Sequence, residues 1–182
     1  MDFEINKNIV LIFFIQIIFL FTNRLYAQSL VLRKVLYGKV EMLMPSDFKR
    51  MDTAMLALKY PVSAGRPDEA YTNSNASVSI AFNHTAKKAS AEEIEDNKGQ
   101  LVELLKKRSG VRIISQRSET INGKNFILID FYSRSISGVI YNSMFITSLN
   151  GRILMGSFNC VSYLERDWKS KAHEIIYSLS LK

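Results

Sequence analysis

The C-terminal half of the chain alternates β-rich runs with short turn sequences. Asn-Gly pairs at 122–123 and 150–151 each lie between two runs that are rich in β-branched and aromatic residues. This is the strongest short hairpin signal, because a type I′ turn needs positive φ at both central residues. Ser137-Gly138 provides a looser turn between the two hairpins. The pattern predicts an antiparallel meander of four strands, at 112–121, 124–134, 139–149 and 152–161.

The second and third of these strands are apolar on both faces. In 124–134, the two faces carry alternating apolar side chains, namely Ile127, Ile129 and Phe131 on one and Phe126, Leu128 and Tyr132 on the other. The run 139–149 has the same property. Because a strand with two apolar faces is covered on both, we expect helices on both sides of the sheet.

Three segments have helical patterns. Ser90-Ala91-Glu92-Glu93 is a capping box, and it predicts a helix from there to about residue 108. That helix is expected to bury Ile94, Leu101, Leu104 and Leu105. The segment 165–179 places apolar residues on one helical stripe, formed by Trp168, Ala172, Ile175, Ile176 and Leu179. A weaker helix is predicted over 46–58, between Ser46 and Pro61.

The N-terminal half contributes fewer and shorter strands. One is predicted at 35–44, before Pro45, and one at 77–83, where apolar and polar residues alternate. A short piece near 69–72 is expected to pair with 77–83. Together the elements predict an α+β fold, in which helices cover both faces of an antiparallel sheet as an α/β/α sandwich.

The N-terminus has the features of a targeting segment. Residues 9–22 form a mostly apolar run of 14, whereas a membrane-spanning helix needs about 20. The run matches the apolar core of a secretory signal peptide, with cleavage expected between Ala27 and Gln28. We therefore expect export, a single domain over 28–182, and no stable membrane span after cleavage. Because the first residues are not net positive, an uncleaved short anchor stays open as an alternative.

Composition narrows the class of protein. The chain has 182 residues, 47% of them hydrophobic and 23% charged, which is typical of a globular protein rather than a disordered or fibrous one. A single cysteine excludes an internal disulfide. The formal net charge is +7. The basic pairs are dispersed and not interleaved with aromatic residues, so we expect no nucleic-acid partner. The charge indicates either a merely soluble basic surface or attraction to an acidic partner or anionic envelope surface.

No motif for catalysis, metal or cofactor binding is present. The sequence has no nucleophile elbow, Walker A or dinucleotide glycine pattern, and its two histidines, His84 and His173, lack nearby metal ligands. We expect no enzyme activity, metal or cofactor. A hydrolase that uses either histidine with a distant nucleophile is the remaining enzymatic alternative.

Four residues are candidates for binding. Residues 60–77 form one long irregular stretch, and its Tyr60, Arg66 and Tyr71 are residue types enriched at binding hot spots. The alternative is a simple connection packed on the sheet edge. Asp130 lies in mid-strand, where a buried carboxylate is costly unless paired or hydrogen-bonded. It either bonds a serine on a neighbouring strand or marks a polar pocket.

The element order resembles a known family. The sequence resembles an exported bacterial member of the PsbP-like (DcrB-like) family, whose fold is an α/β/α sandwich. Two local features support the resemblance, namely Met44-Pro45-Ser46-Asp47-Phe48 before the first helix and a terminal helix that carries Trp168. The resemblance covers about residues 35–181, and it implies a binding or assembly module without catalytic residues. We therefore expect a partner that is a protein or envelope component. A small-molecule or lipid carrier, with a pocket between sheet and helices near Asp130, is the alternative.

Overall fold

The computed structural model describes residues 29–135 and 138–182. The expected signal peptide, including Ala27 and Gln28, lies outside these residues, as does Ser137 of the predicted turn. In chain order, the strands are β1 (Leu30–Val35), β2 (Val40–Pro45), β3 (Lys49–Arg50), β4 (Glu69–Thr72), β5 (Val78–Lys88), β6 (Arg112–Ile121), β7 (Lys124–Ser135), β8 (Gly138–Leu149), β9 (Arg152–Val161) and β10 (Ser180–Leu181). The α-helices are α1 (Thr53–Lys59), α2 (Ala91–Asp96), α3 (Lys98–Lys106) and α4 (Glu165–Tyr177).

The predicted meander forms most of a seven-stranded sheet, whose strand order is β3-β4-β5-β9-β8-β7-β6. All of its pairs are antiparallel. Both Asn-Gly turns have the expected left-handed backbone, with φ of 48° at Asn122 and 52° at Asn150. The short strand at 69–72 pairs with β5, as predicted.

The predicted strand over 35–44 is wrong in its extent. Those residues belong to a hairpin, in which β1 and β2 are joined by the turn Leu36–Lys39. This hairpin pairs with β10 in a separate three-stranded sheet. The apolar residues on both sides of the turn read as one continuous strand pattern, so periodicity alone did not mark the reversal at Gly38, which has φ of 81°.

Two apolar cores lie on opposite faces of the seven-stranded sheet. The larger joins Phe126, Leu128 and their neighbours to helix α4 and the three-stranded sheet. The smaller joins Ile127 and Ile129 to helices α2 and α3. The predicted alternation in β7 and the helices on both faces are therefore confirmed. Cys160 is buried in the larger core, and burial raises the pKa of its thiol to about 12.

The long helix predicted over 90–108 is two helices. The capping box at Ser90 and Glu93 is present and begins α2. At Asn97, the side-chain Nδ2 donates to the carbonyl oxygen of Glu93 over 2.7 Å. Side chains of this kind compete with the helical backbone for hydrogen bonds. The break lets α2 and α3 follow the twisted sheet in two short segments.

The predicted helix over 46–58 begins later than its pattern indicated. Residues 49–50 form the short strand β3, and α1 begins after Asp52, whose carboxylate accepts a hydrogen bond from the Met55 amide over 2.8 Å. By contrast, α4 agrees closely with the predicted stripe. Trp168, Ala172, Ile175 and Ile176 are buried along it. Among the described residues, no helix is long and apolar enough to cross a membrane.

Candidate functional site

A groove lies on the α2–α3 face of the seven-stranded sheet, between α3 and residues 60–67. Its volume is about 540 Å³, which falls within the range of about 300–1,000 Å³ that is typical of ligand pockets. This surface is termed the α3 groove. It is lined by Tyr60, Gly65, Pro67, Ala81, Phe82, Asn83, Leu101, Leu104, Leu105, Arg108, Phe131, Met144, Ile146, Met155, Gly156, Ser157 and Asn159.

One wall of the groove is an apolar strip of α3. Leu101, Leu104 and Leu105 lie one helical turn apart and point to the same side. Leu104 was predicted to be buried, but its side chain is 60% exposed. The sheet below α3 does not cover all three leucines. Leu104 stays exposed because the opposite wall does not close over the groove. Leu104 is therefore an exposed apolar contact for whatever enters.

Small side chains make the floor of the groove. Ala81 in β5 and Met144 in β8 each pair with Ser157 in the strand between them, β9. Alanine and serine fill little space above the sheet, so the gap between the two walls stays open. Met144 and Met155 add flexible, polarizable surface, which adapts to ligands of different shape.

A few polar groups interrupt the apolar lining. Ser157 Oγ donates to Asn159 Oδ1 over 2.8 Å, and Asn83 Oδ1 accepts from the Asp68 amide over 3.2 Å. Arg108, just beyond the end of α3, brings a positive charge to the lining. Such a mixture of apolar area and a small number of polar groups is typical of a binding site.

The opposite wall of the groove is formed by residues 60–67, at the start of the irregular stretch 60–77 in which binding residues were predicted. Arg66 Nε donates to the Tyr60 carbonyl oxygen over 3.2 Å, which fixes the turn between them. Burial raises the pKa of the Tyr60 hydroxyl. The preceding Lys59 Nζ donates to the Ala76 carbonyl oxygen over 2.8 Å and to Ser79 Oγ in β5 over 3.2 Å, which ties the wall to the sheet. The structure therefore brings Tyr60 to the groove, with Arg66 supporting it.

Tyr71 does not belong to this surface. It lies in β4, and its side chain is buried in the larger core at 7% exposure. Its hydroxyl donates to Glu69 Oε1 over 2.5 Å, and burial, followed by this hydrogen bond, raises the pKa of Tyr71 to about 12. Tyr71 was grouped with the irregular stretch 60–77 as a binding candidate, but it lies in the strand that was predicted near 69–72. Sequence reasoning missed Glu69, whose neighbours gave no periodic signal for a buried carboxylate.

Asp130 lies on the other face of the sheet, away from the α3 groove. It is 3% exposed, and its Oδ2 accepts from Ser115 Oγ over 2.9 Å, as one of the two alternatives predicted. Arg117 Nη1 lies 3.2 Å and His173 Nε2 3.6 Å from the same oxygen. Burial alone would raise the pKa of this carboxyl, but the hydrogen bonds and the nearby His173 hold it well below its usual range. Asp130 is a satisfied structural carboxylate.

The histidines occupy two unrelated places. His84 lies within β5, and its Nε2 is 3.0 Å from the Leu149 carbonyl oxygen. His173 lies within α4, and its Nε2 is 3.6 Å from Asp130 Oδ2. Ser115 Oγ donates to the Asp130 carboxylate rather than to the imidazole. A Ser-His-Asp triad has the opposite arrangement, with the hydroxyl on the histidine.

Comparison with known proteins gives a structural likeness only. No family model and no curated protein matches the sequence. Among solved structures, the chain is similar to cyanobacterial PsbP (CyanoP) from Synechocystis sp. PCC 6803. The two are 12% identical with a TM-score of 0.56, and the match covers 87% of this chain and 96% of that one.

Two further structures have similar folds. LpqN, described as involved in cell envelope biogenesis of Mycobacterium tuberculosis, is 10% identical with a TM-score of 0.54, over 85% of this chain and 91% of its own. The Ran-binding protein Mog1p of Saccharomyces cerevisiae is 11% identical with a TM-score of 0.48, over 85% and 96%. The Mog1p likeness is too weak to support an argument. From the sheet, its two helical faces and the first two likenesses, the chain has the PsbP-like α/β/α sandwich fold.

Proposed function

We propose that this protein is an exported, non-enzymatic binding or assembly module, and that it holds a protein or envelope component in the α3 groove. The observation that carries the proposal is the groove itself. It joins the leucine strip of α3, with its exposed Leu104, to the Tyr60 wall over a floor that includes the small side chains Ala81 and Ser157. An open apolar surface of this kind is a liability in water unless something covers it.

The lining is suited to binding rather than to chemistry. Apart from two glycines, its groups are apolar side chains, two asparagines, one tyrosine, one serine and one arginine. The apolar part contributes affinity by leaving water, and the polar groups fix the orientation of the ligand. The buried polar cluster around Asp130 lies in the opposite core, where its groups stabilise the fold.

Export is part of the proposal. The apolar run at residues 9–22 and the expected cleavage after Ala27 support it. LpqN, which has the same fold, is described as involved in cell envelope biogenesis. A basic protein of net charge +7 would also be attracted to anionic envelope surfaces. A partner in the envelope agrees with both the proposed export and the positive net charge of the protein.

The proposal is tested by affinity capture from the cells that produce the protein. Wild type is compared with Leu104→Glu and Leu32→Glu. These leucines are 60% and 63% exposed, so either change should leave the fold intact. Leu32 lies in β1, on the opposite side of the seven-stranded sheet. We expect Leu104→Glu to lose the bound component and Leu32→Glu to keep it. Equal retention by both variants would contradict the groove as the binding site.

A carrier of lipid or small molecules is the second candidate. The groove favours it through its methionines and the single arginine, which suit an apolar chain with an anionic head group. The pocket is not beside Asp130, where it was predicted, but on the other face of the sheet. The capture experiment separates the two functions when protein and lipid fractions are analysed together. Lipid without stoichiometric protein would favour the carrier.

A further inference from the structure

The turn between β1 and β2 has an unusual backbone. Leu36, Tyr37 and Gly38 have φ of 51°, 58° and 81° in succession. Only glycine adopts this left-handed region without cost, and asparagine tolerates it better than other residues. In its two Asn-Gly hairpins, the same chain uses Asn122 and Asn150 at such positions. Here it uses a leucine and a tyrosine.

Packing offsets the cost of the left-handed backbone at Leu36 but not at Tyr37. The Leu36 side chain is 4% exposed, and its amide donates to the buried Glu69 Oε2 over 2.7 Å. Glu69 thereby holds the turn in its strained form. The Tyr37 side chain is 97% exposed, the largest value among the exposed large hydrophobic residues of the described chain. The ring contributes no packing in return for its backbone conformation.

The surroundings of Tyr37 are positively charged. Lys34, Lys39 and Lys182 lie beside the turn, and Glu41 is the carboxylate that pairs with two of them. Its distance is 3.5 Å to Lys34 Nζ and 2.9 Å to Lys182 Nζ. Lys39 is exposed and has no ion-pair partner among residues 29–135 and 138–182. Among the side chains beside the turn, three lysines against one glutamate leave a net positive charge.

We propose that the β1–β2 turn is a docking anchor for a protein partner, in which Tyr37 enters a pocket and the lysines face an acidic rim. Tyrosine is enriched at hot spots, and a rigid side chain loses little entropy on binding. The strained turn, clamped by Glu69, fixes the point at which the side chain leaves the backbone. A fixed attachment point suits entry of the ring into one shaped pocket of a protein, whereas a fluid bilayer needs no fixed point.

This anchor is independent of the α3 groove. The three-stranded sheet packs with α4 on the larger core, while the groove opens over the smaller one. The two surfaces therefore lie on opposite sides of the seven-stranded sheet. A protein with both could hold one component while it is attached to another.

The first test concerns the cost of the turn. Tyr37→Asn should raise the melting temperature by about 2–4 °C, because asparagine fits the left-handed backbone and no packing is lost. Tyr163→Asn, at a tyrosine that is 79% exposed and has no left-handed φ, should leave it unchanged. A lower melting temperature for Tyr37→Asn would show that the ring supports the fold, and would overturn the proposal.

The second test is photo-crosslinking of the full chain in the cells that produce it. p-Benzoylphenylalanine replaces Tyr37 in one protein and Tyr163 in the other. We expect a discrete protein adduct from position 37, absent from position 163 and reduced about tenfold by Lys39→Glu. Leu104→Glu should leave the adduct unchanged, which separates the anchor from the groove. Lipid adducts alone, the same adduct from both positions, or none from position 37 would overturn the proposal.

Discussion

At the residue scale, Gly156 shows how closely the larger core is packed. A Cβ built on this glycine would overlap the ring of Phe145, which is fully buried. Phe145 in turn packs against Phe82 and Phe126, with ring centroids 6.3 Å and 6.1 Å apart. The missing side chain in β9 is therefore what lets the three aromatic rings meet.

We expect Gly156→Ala to destabilise the protein by about 3 kcal/mol, because the added methyl group overpacks the core. Gly99→Ala is the matched control. Gly99 lies in α3 with no atom within 4 Å of an added Cβ, so alanine there should stabilise by about 0.5 kcal/mol. Urea unfolding measures both changes. If Gly156→Ala proved as harmless as the control, the packing described for Phe145 would be wrong.

The lowered pKa of Asp130 predicts how the free energy of unfolding depends on pH. Its pKa in the folded state lies below the unfolded value of about 3.9. As the pH falls, the unfolded chain therefore takes up a proton first, and the stabilisation from charged Asp130 declines below about pH 5. Asp130→Asn has no charge to lose, so its stability should fall less steeply between about pH 5 and pH 3.

The measurement for Asp130 is a series of urea unfolding curves across that pH range. Asp167→Asn removes an exposed carboxylate of α4 and serves as the control. We expect the control to follow the wild-type slope. The same slope in Asp130→Asn as in wild type would mean that Arg117 and His173 do not hold the carboxylate in its charged form.

At the element scale, the capping box is a sharp local determinant. Ser90 Oγ accepts from the Glu93 amide over 3.1 Å, and the Glu93 carboxylate accepts from the Ser90 amide over 2.7 Å. Helix α2 has only six residues, which is too short to be stable without caps and packing. The cap therefore stabilises a helix that covers one end of the smaller core.

Ser90→Ala should cost about 1 kcal/mol, because it leaves amides at the start of the helix without a partner. Hydrogen exchange should become faster in α2 and stay unchanged in the meander. Ser170→Ala, at an exposed position inside α4, removes a hydroxyl without removing a cap. Equal loss of stability in the two variants would contradict the role assigned to Ser90.

The elements that sequence reasoning identified are those with local signals. The Asn-Gly turns, the capping box and the α4 stripe each depend on neighbouring residues, and each is present. The β1–β2 turn was missed because Leu36 and Tyr37 are not turn residues, and a distant carboxylate, Glu69, holds them. The break at Asn97 was missed because a single asparagine within a helical pattern does not end it by itself.

At the scale of the whole molecule, the layers were predictable and the site was only partly so. Apolar residues on both faces of β7 required two covering layers, which are present. Tyr60 and Leu104 lie on facing walls of one groove, although they are 44 positions apart in the sequence. Which surfaces stay uncovered depends on how the loop and α3 pack.

The central claim is that the ligand occupies the α3 groove. The most direct measurement is the amount of protein and lipid that copurifies with Ser157→Trp, which fills the floor of the groove, against wild type. Thr120→Trp, at an exposed position on β6, controls for the bulk of the added ring. The account predicts that Ser157→Trp loses the bound component about tenfold or more, while Thr120→Trp retains it. Undiminished binding by Ser157→Trp, in a protein that remains folded, would contradict it.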